Sequence, residues 1–220
     1  MKNKNITLSP DIYFENVPKT LNMNIRSELY AINEFTFAVA VILSAQATDK
    51  KVNEVTPNLF KIAPTPDKML ELGLDELKKQ IRVISFFNNK ANNIIKLAAQ
   101  LKDKNSNDLN YKFPQKYHNR AELMKLAGVG QKTANVIMNV LWNMPNIGVD
   151  THVFRVSNRL GLCKADTVEE TEKQMTKLIP REKWGNAHHW LIWHGRRLCK
   201  AQRPLCGECP LNGLCPYKGK

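Results

Sequence analysis

The segment FTFAVAVILSAQA, residues 35–47, is apolar around nearly its whole helical circumference. A helix of that kind has no face to offer water, so it is stable only where other elements cover it on every side. It is too short for a bilayer, which needs about 18 or more apolar residues, and no other run in the chain approaches that length. Elsewhere apolar residues recur at the 3.6-residue helical period, and period-2 alternation bounded by turns is absent. Helices are therefore expected over 66–72, 74–83, 90–101, 120–126, 149–160, 168–178 and 187–200. The polar stretch KDKNSNDLNYKFPQKYHN, 102–119, reads as a connection with a stop at Pro114. The expected fold class is all-α, with no repeats and mostly short loops.

Charge narrows the partners. The 220 residues carry 33 Lys and Arg against 20 Asp and Glu, a formal net charge of +13. Such an excess favours a polyanion such as nucleic acid, although a chain rich in Asn and Lys throughout can also drift there. The opening MKNKNITLSPDIYF lacks the apolar centre of a signal peptide, so an intracellular, cytoplasmic protein is expected, without a membrane partner. Of the five cysteines, Cys199, Cys206, Cys209 and Cys215 crowd near the C-terminal end while Cys163 stands apart. Clustered cysteines in an intracellular chain more often hold metal than disulfides. The spacing C-x6-C-x2-C-x5-C offers one short C-x2-C pair where zinc sites usually pair two, and on spacing alone zinc and an iron–sulfur cluster stand level. Cys163 reads as a small buried hydrophobe.

The stretch LAGVGQKTANVIMNVLW, residues 126–142, reads as one helix closing, a tight turn at Gly128-Val129-Gly130, and a second helix opening. The amides of Val129, Gly130 and the following turn are expected to point outward, unpaired, an arrangement that binds phosphate. Glycines also end helices for purely structural reasons, so the motif alone does not decide. Lys132 then sits in the first turn of a helix, where the macrodipole disfavours a cation. Eighteen residues later, in GVDTHVFRVSNRL, Asp150 stands at the start of another helix, either as an N-cap or as a carboxylate serving Lys132.

LSAQATD, NNKANNI, LAGVGQKTANVI, GVDTHVFRVSNR, HHWLIWHGR and the four cysteines, in this order over most of the chain, together closely resemble the endonuclease III family, bifunctional glycosylases of the helix-hairpin-helix superfamily of DNA repair enzymes. The resemblance implies a two-lobed fold. One lobe is a six-helix barrel over 27–144. The other joins 1–26 to 145–220 and carries a [4Fe–4S] cluster on Cys199, Cys206, Cys209 and Cys215. It further implies a monomer acting on double-stranded DNA that holds oxidised pyrimidines or abasic sites. Lys132 is then the nucleophile, and a helix N-terminus, poor for a structural cation, suits an amine that must lose its proton to react. Asp150 assists it, and His152 supports Asp150. Catalysis requires the damaged nucleotide to leave the stack; Gln46 fills the gap, with Phe86 as the second wedge. Gly128, Val129, Gly130 and Thr133 contact the backbone, as do Lys200 and Arg203 from the KAQRPL loop pinned between Cys199 and Cys206.

The chain departs from the family pattern at three places: Ser85-Phe86-Phe87 where Gly and a bulky residue are usual, Ala127 where proline is usual, and a longer 102–119 connection. Two rival readings share the hairpin. A monofunctional mismatch glycosylase lacks the nucleophilic lysine, and a non-catalytic DNA-binding module has no use for Lys132 and Asp150 together.

Overall fold

The computed structural model describes residues 9–20 and 28–217. The N-terminal charged residues and the domain boundary placed at residue 27 lie outside them. Every regular element among the described residues is helical, as expected. Contacts divide the chain into two units, one spanning Ser27–Trp142 and the other joining helix α1 to the residues from Asn143 onward.

The Ser27–Trp142 unit is built around α2 (Glu34–Ser44), in which Phe35 through Leu43 are all buried. Asn33 starts the helix with a reciprocal capping box: its side chain accepts from the Thr36 amide at 2.9 Å, and its own amide donates to Thr36 Oγ1 at 3.0 Å. The Asn33 side-chain Nδ2 donates to the carbonyls of Pro64 and Leu109, tying two loops to this cap. Around α2 stand α3 (Asp49–Ile62), α4 (Pro66–Leu72), α5 (Leu74–Gln80), α6 (Phe87–Gln100), α7 (Arg120–Leu123) and α8 (Gln131–Trp142). Their apolar faces close one core with Leu59, Phe60, Met69, Leu77, Ile94 and Ile137.

The polar-looking 102–119 connection is anchored by its aromatics. Tyr111, Phe113 and Tyr117 are buried and meet edge-to-face. Glu34 fastens the stretch, accepting from the Phe113 amide at 2.7 Å and from Trp142 Nε1 at 3.3 Å.

The second unit contains α1 (Pro10–Thr20), α9 (Thr151–Arg159), α10 (Val168–Leu178) and α11 (Trp184–Arg197). Its separate core includes Tyr13, Phe14, Val17, Val153, Val156, Met175 and Leu191. α11 lies close against α9 at Gly195, where an added Cβ would stand 3.0 Å from His152 Nδ1 and 3.1 Å from Arg155 Nη2.

Several sequence expectations shift here. The apolar helix ends at Ser44 and not at 47, because the Ala45 amide turns back to Ile42 and Gln46 adopts φ 56°. α6 begins at Phe87, three residues earlier than expected, and α11 runs three residues earlier at both ends. α9 starts at Thr151 because Asp150 caps it. Helices α1 and α3 were not anticipated. No helix among the described residues is long and apolar enough to cross a membrane.

Candidate active site and cysteine centre

The hairpin between α7 and α8 is set by Gly128 at φ 78°. A Cβ there would meet Asn93 Cβ at 3.0 Å and Ile42 Cδ1 at 3.2 Å, so the turn lies directly on α6 and α2. Gly130 is different: a Cβ at that position meets nothing within 4 Å. Gly128→Ala should therefore lower stability by about 1–3 kcal/mol through backbone strain and crowding, read as a drop in denaturant midpoint. Gly130→Ala should leave that midpoint unchanged.

The Val129 amide does not point outward as expected. It donates to the Leu126 carbonyl at 3.1 Å, closing the turn, and the Val129 side chain is buried. The amides of Gly130 and Thr133 have no hydrogen-bond partner among the described residues. Ala134 is bonded back to the Gly130 carbonyl at 2.9 Å, so the residues before it form the first helical turn, where intrahelical acceptors are missing. Lys132 is exposed in that turn.

The LSAQATD and SFFNNKANNI segments belong to the same unit. Gln46 is exposed at its left-handed position. Phe86 is 63% exposed with φ 58°, whereas its neighbour Phe87 packs against the core.

In the other unit Asp150 caps α9. Its Oδ1 accepts from the amides of His152 and Val153, both at 2.8 Å, which fixes the carboxylate at a helix N-terminus where negative charge is favoured. The His152 backbone thus supports Asp150, while its ring turns to Arg155 Nη2 at 3.2 Å.

Two arginines escaped the sequence reading. Arg155 donates to the Cys199 carbonyl through Nε at 3.2 Å and Nη2 at 3.1 Å, and to the Gly195 carbonyl at 3.1 Å. Arg159, one turn later, donates to the carbonyls of Lys200 at 2.7 Å and Ala201 at 3.0 Å, and its guanidinium lies over the Tyr217 ring. One face of α9 thereby holds the start of the cysteine loop. The loop's two ends also meet at one acceptor, since the amides of Lys200 and Leu205 both donate to the Leu198 carbonyl. Lys200 and Arg203 are exposed on it, Arg203 with φ 48°. The spacing of Arg155 and Arg159 by four residues after Asp150 was the only signal available in sequence.

All four clustered cysteines line a cavity of about 50 Å³, together with Leu160, Leu198, Leu205 and Leu211. Among the described residues no three His, Cys, Asp or Glu side chains converge as the ligands of one ion do. Thiols ringing a cavity suit a polynuclear centre, in which each iron takes one thiolate. Burial pushes the Cys209 and Cys215 thiols above their ordinary range, and the neighbouring cysteines add to it. Four thiolates in this space need cationic iron beside them. His194 is buried, which pushes its pKa down to about 4, and places Nε2 3.5 Å from Cys209 Sγ. Cys163 is buried away from this group, donating to Ser157 Oγ at 3.3 Å.

Comparison with known proteins agrees with this construction. Residues 39–181 match the HhH-GPD superfamily base excision DNA repair protein family, and residues 199–215 match the iron–sulfur binding domain of endonuclease III. The chain is 50% identical to endonuclease III of Rickettsia conorii over 196 residues, covering 89% of this chain and 90% of the relative. It is 44% identical to endonuclease III of Escherichia coli K12 over 194 residues, 88% and 89% of the two chains. A solved structure of a trapped endonuclease III–DNA covalent intermediate, an estranged-adenine complex, superposes with TM-score 0.83 at 47% identity, over 93% of this chain and 92% of that one. A hairpin of this build on an all-helical frame, matched over most of the chain, defines a helix-hairpin-helix base excision DNA repair glycosylase. Within that class the chain belongs to the endonuclease III family of DNA glycosylase/AP lyases, and its cofactor is a [4Fe–4S] cluster.

Proposed function

We propose that this enzyme removes oxidised pyrimidines from duplex DNA through a Schiff base on Lys132 and then cuts the strand by β-elimination. The observation that carries the reading is Lys132 itself, exposed in the first turn of α8 directly after the glycine hairpin. The Lys132 amine attacks C1′ of the flipped nucleotide, and the base leaves with the glycosidic electron pair, taking up a proton. Ring opening of the sugar gives an iminium between Nζ and C1′. Loss of a C2′ proton expels the 3′ phosphate, cutting the strand 3′ to the lesion, and water then releases Lys132. Asp150, held by two amides, accepts a proton from the lysine or stabilises positive charge growing on the sugar.

In the same reading Gln46 and Phe86 fill the space left by the flipped nucleotide, and the exposure of Phe86 beside the packed Phe87 supports that choice. Gly128, Val129, Gly130 and Thr133 form the phosphate seat. Val129 contributes shape and not an amide, because its N–H closes the turn. Lys200 and Arg203 meet phosphate from the loop held by Arg155 and Arg159, and His152 supports Asp150. The bound cluster supplies iron–thiolate bonds that fix that loop, and base excision itself transfers no electron. The domain reading, a barrel over 27–144 and a discontinuous partner of 1–26 with 145–220, is supported by the contact division after Trp142. We place it in the cytoplasm as a monomer, associated with the nucleoid if the cell is bacterial.

Borohydride trapping tests the chemistry. Purified protein on a labelled duplex with one oxidised pyrimidine should give a covalent adduct and a 3′ nick. Base release without an adduct would point to a monofunctional glycosylase, and binding without either product would remove the enzymatic reading.

A further inference from the structure

Lys90, on the first turn of α6, is the one buried Lys, Arg, Asp or Glu among the described residues, at 6% exposure. A buried ammonium is costly unless it is hydrogen-bonded. Here Nζ donates to the carbonyls of Leu43 at 2.8 Å and Ala45 at 2.6 Å. These lie at the C-terminus of α2, where the carbonyls lack intrahelical partners and the macrodipole favours a cation. The next residue after Ala45 is Gln46. At its other end Lys90 donates its backbone amide to the Phe86 carbonyl at 3.1 Å. That amide bond is the helical one any residue at 90 would make; what the lysine side chain adds is a tie from the peptide that introduces Gln46 to the first turn of α6, which Phe86 opens.

Gln46 and Phe86 share a further property. They are the only described non-glycine residues of the Ser27–Trp142 unit in the left-handed region, at φ 56° and 58°. Such backbone is unfavourable for ordinary residues and persists only where surrounding bonds impose it. In both cases the strain leaves a side chain exposed and unpacked. A helix cap made by a water-facing Ser or Asn would satisfy the α2 carbonyls without linking them to α6. The buried ammonium does both.

We propose that Lys90 is a positioning residue that holds Gln46 and Phe86 as a preorganised pair, ready to occupy the stack when a nucleotide leaves it. The proposal rests on the reading of these two side chains as gap fillers. Extrusion of a base costs unstacking free energy, and fillers already in place reduce the ordering required at that step. Lys90 acts on base extrusion and leaves the chemistry on Lys132 untouched. Its removal should therefore matter only when there is a stack to fill.

The test uses the full holoprotein carrying Lys90→Met, with Lys90→Gln as a second variant that keeps a donor on a shorter arm if the first folds poorly. Single-turnover base release from a duplex lesion is compared with cleavage of a preformed abasic site in a single-stranded oligonucleotide. The expected result is a loss of about 10- to 100-fold on the duplex, with single-strand cleavage within about twofold of wild type. Fluorescence of 2-aminopurine opposite the lesion should show correspondingly less unstacking. Equal losses on both substrates, or no loss on either, would overturn the proposal.

A Gln46→Ala/Phe86→Ala protein separates the two ideas. If it slows duplex excision selectively and adding Lys90→Met causes no further selective loss, Lys90 works through these side chains. Additive losses would mean that Lys90 merely supports the fold. If the double variant shows no selective loss, the gap-filling reading fails, whatever Lys90→Met does.

Discussion

Lys132→Gln should yield a protein that folds, binds lesion DNA and forms no borohydride adduct. The side chain lies exposed in the first turn of α8 and contributes nothing to the buried core, so the thermal midpoint should stay near that of wild type. Base release should fall by about 10⁴-fold or more, the scale on which removal of a nucleophile acts, and strand cleavage at a preformed abasic site should fall with it. Gel-shift affinity for a duplex with a non-cleavable abasic analogue should change by less than about tenfold, because a single cation is only one of several phosphate contacts. Persistent base release with trapping lost would move the enzyme to the monofunctional class. An adduct on the variant would place the nucleophile elsewhere.

The second large effect concerns Asp150, whose two roles can be separated by substitution. Asn is as good an N-cap as Asp and can keep both amide bonds on Oδ1. Asp150→Asn should therefore retain the stability of α9 while losing about 10²- to 10⁴-fold in single-turnover base release, the range typical of acid–base groups. Asp150→Ala should lose as much activity and in addition about 1 kcal/mol of stability, because it also leaves the His152 and Val153 amides without their acceptor. Equal activity in Asp150→Asn and wild type would reduce this residue to a helix cap.

How much of this was legible beforehand depended on whether the relevant partner was local. α2 announced itself by apolarity around its full circumference, and α4 and α10 by apolar residues at helical spacing; in the structure Thr65 and Thr167 cap them. α3 was missed although Val52, Thr56, Leu59 and Phe60 follow helical spacing, because Pro57 stands among them. In the structure that proline is exposed inside the helix, where it removes the bond toward the Asn53 carbonyl. The glycine hairpin and Lys132 were readable because turn and helix are contiguous. The Val129 amide was misread because the same contiguity lets it close the turn on Leu126. Arg155, Arg159 and Lys90 were invisible for the opposite reason. Each is an ordinary cation in a polar stretch, and the acceptors that fix it are main-chain carbonyls 40 or more residues away, which no side-chain pattern encodes.

The pairing of α1 with α11 carries a consequence for biosynthesis. Tyr13, Phe14 and Val17 are buried in a core whose remaining members come from residue 147 onward. A ribosome that has just released Thr20 must still translate through the whole inserted unit before Trp184 begins the helix that covers this face. At about 5–20 residues per second that interval is on the order of 10 s or more. The Ser27–Trp142 unit can gather its own core in that time, because all of its partners emerge together. The nascent amphipathic segment cannot, so its apolar side is the part of this chain with the longest wait for a partner during synthesis, and the part most dependent on whatever shields emerging polypeptide.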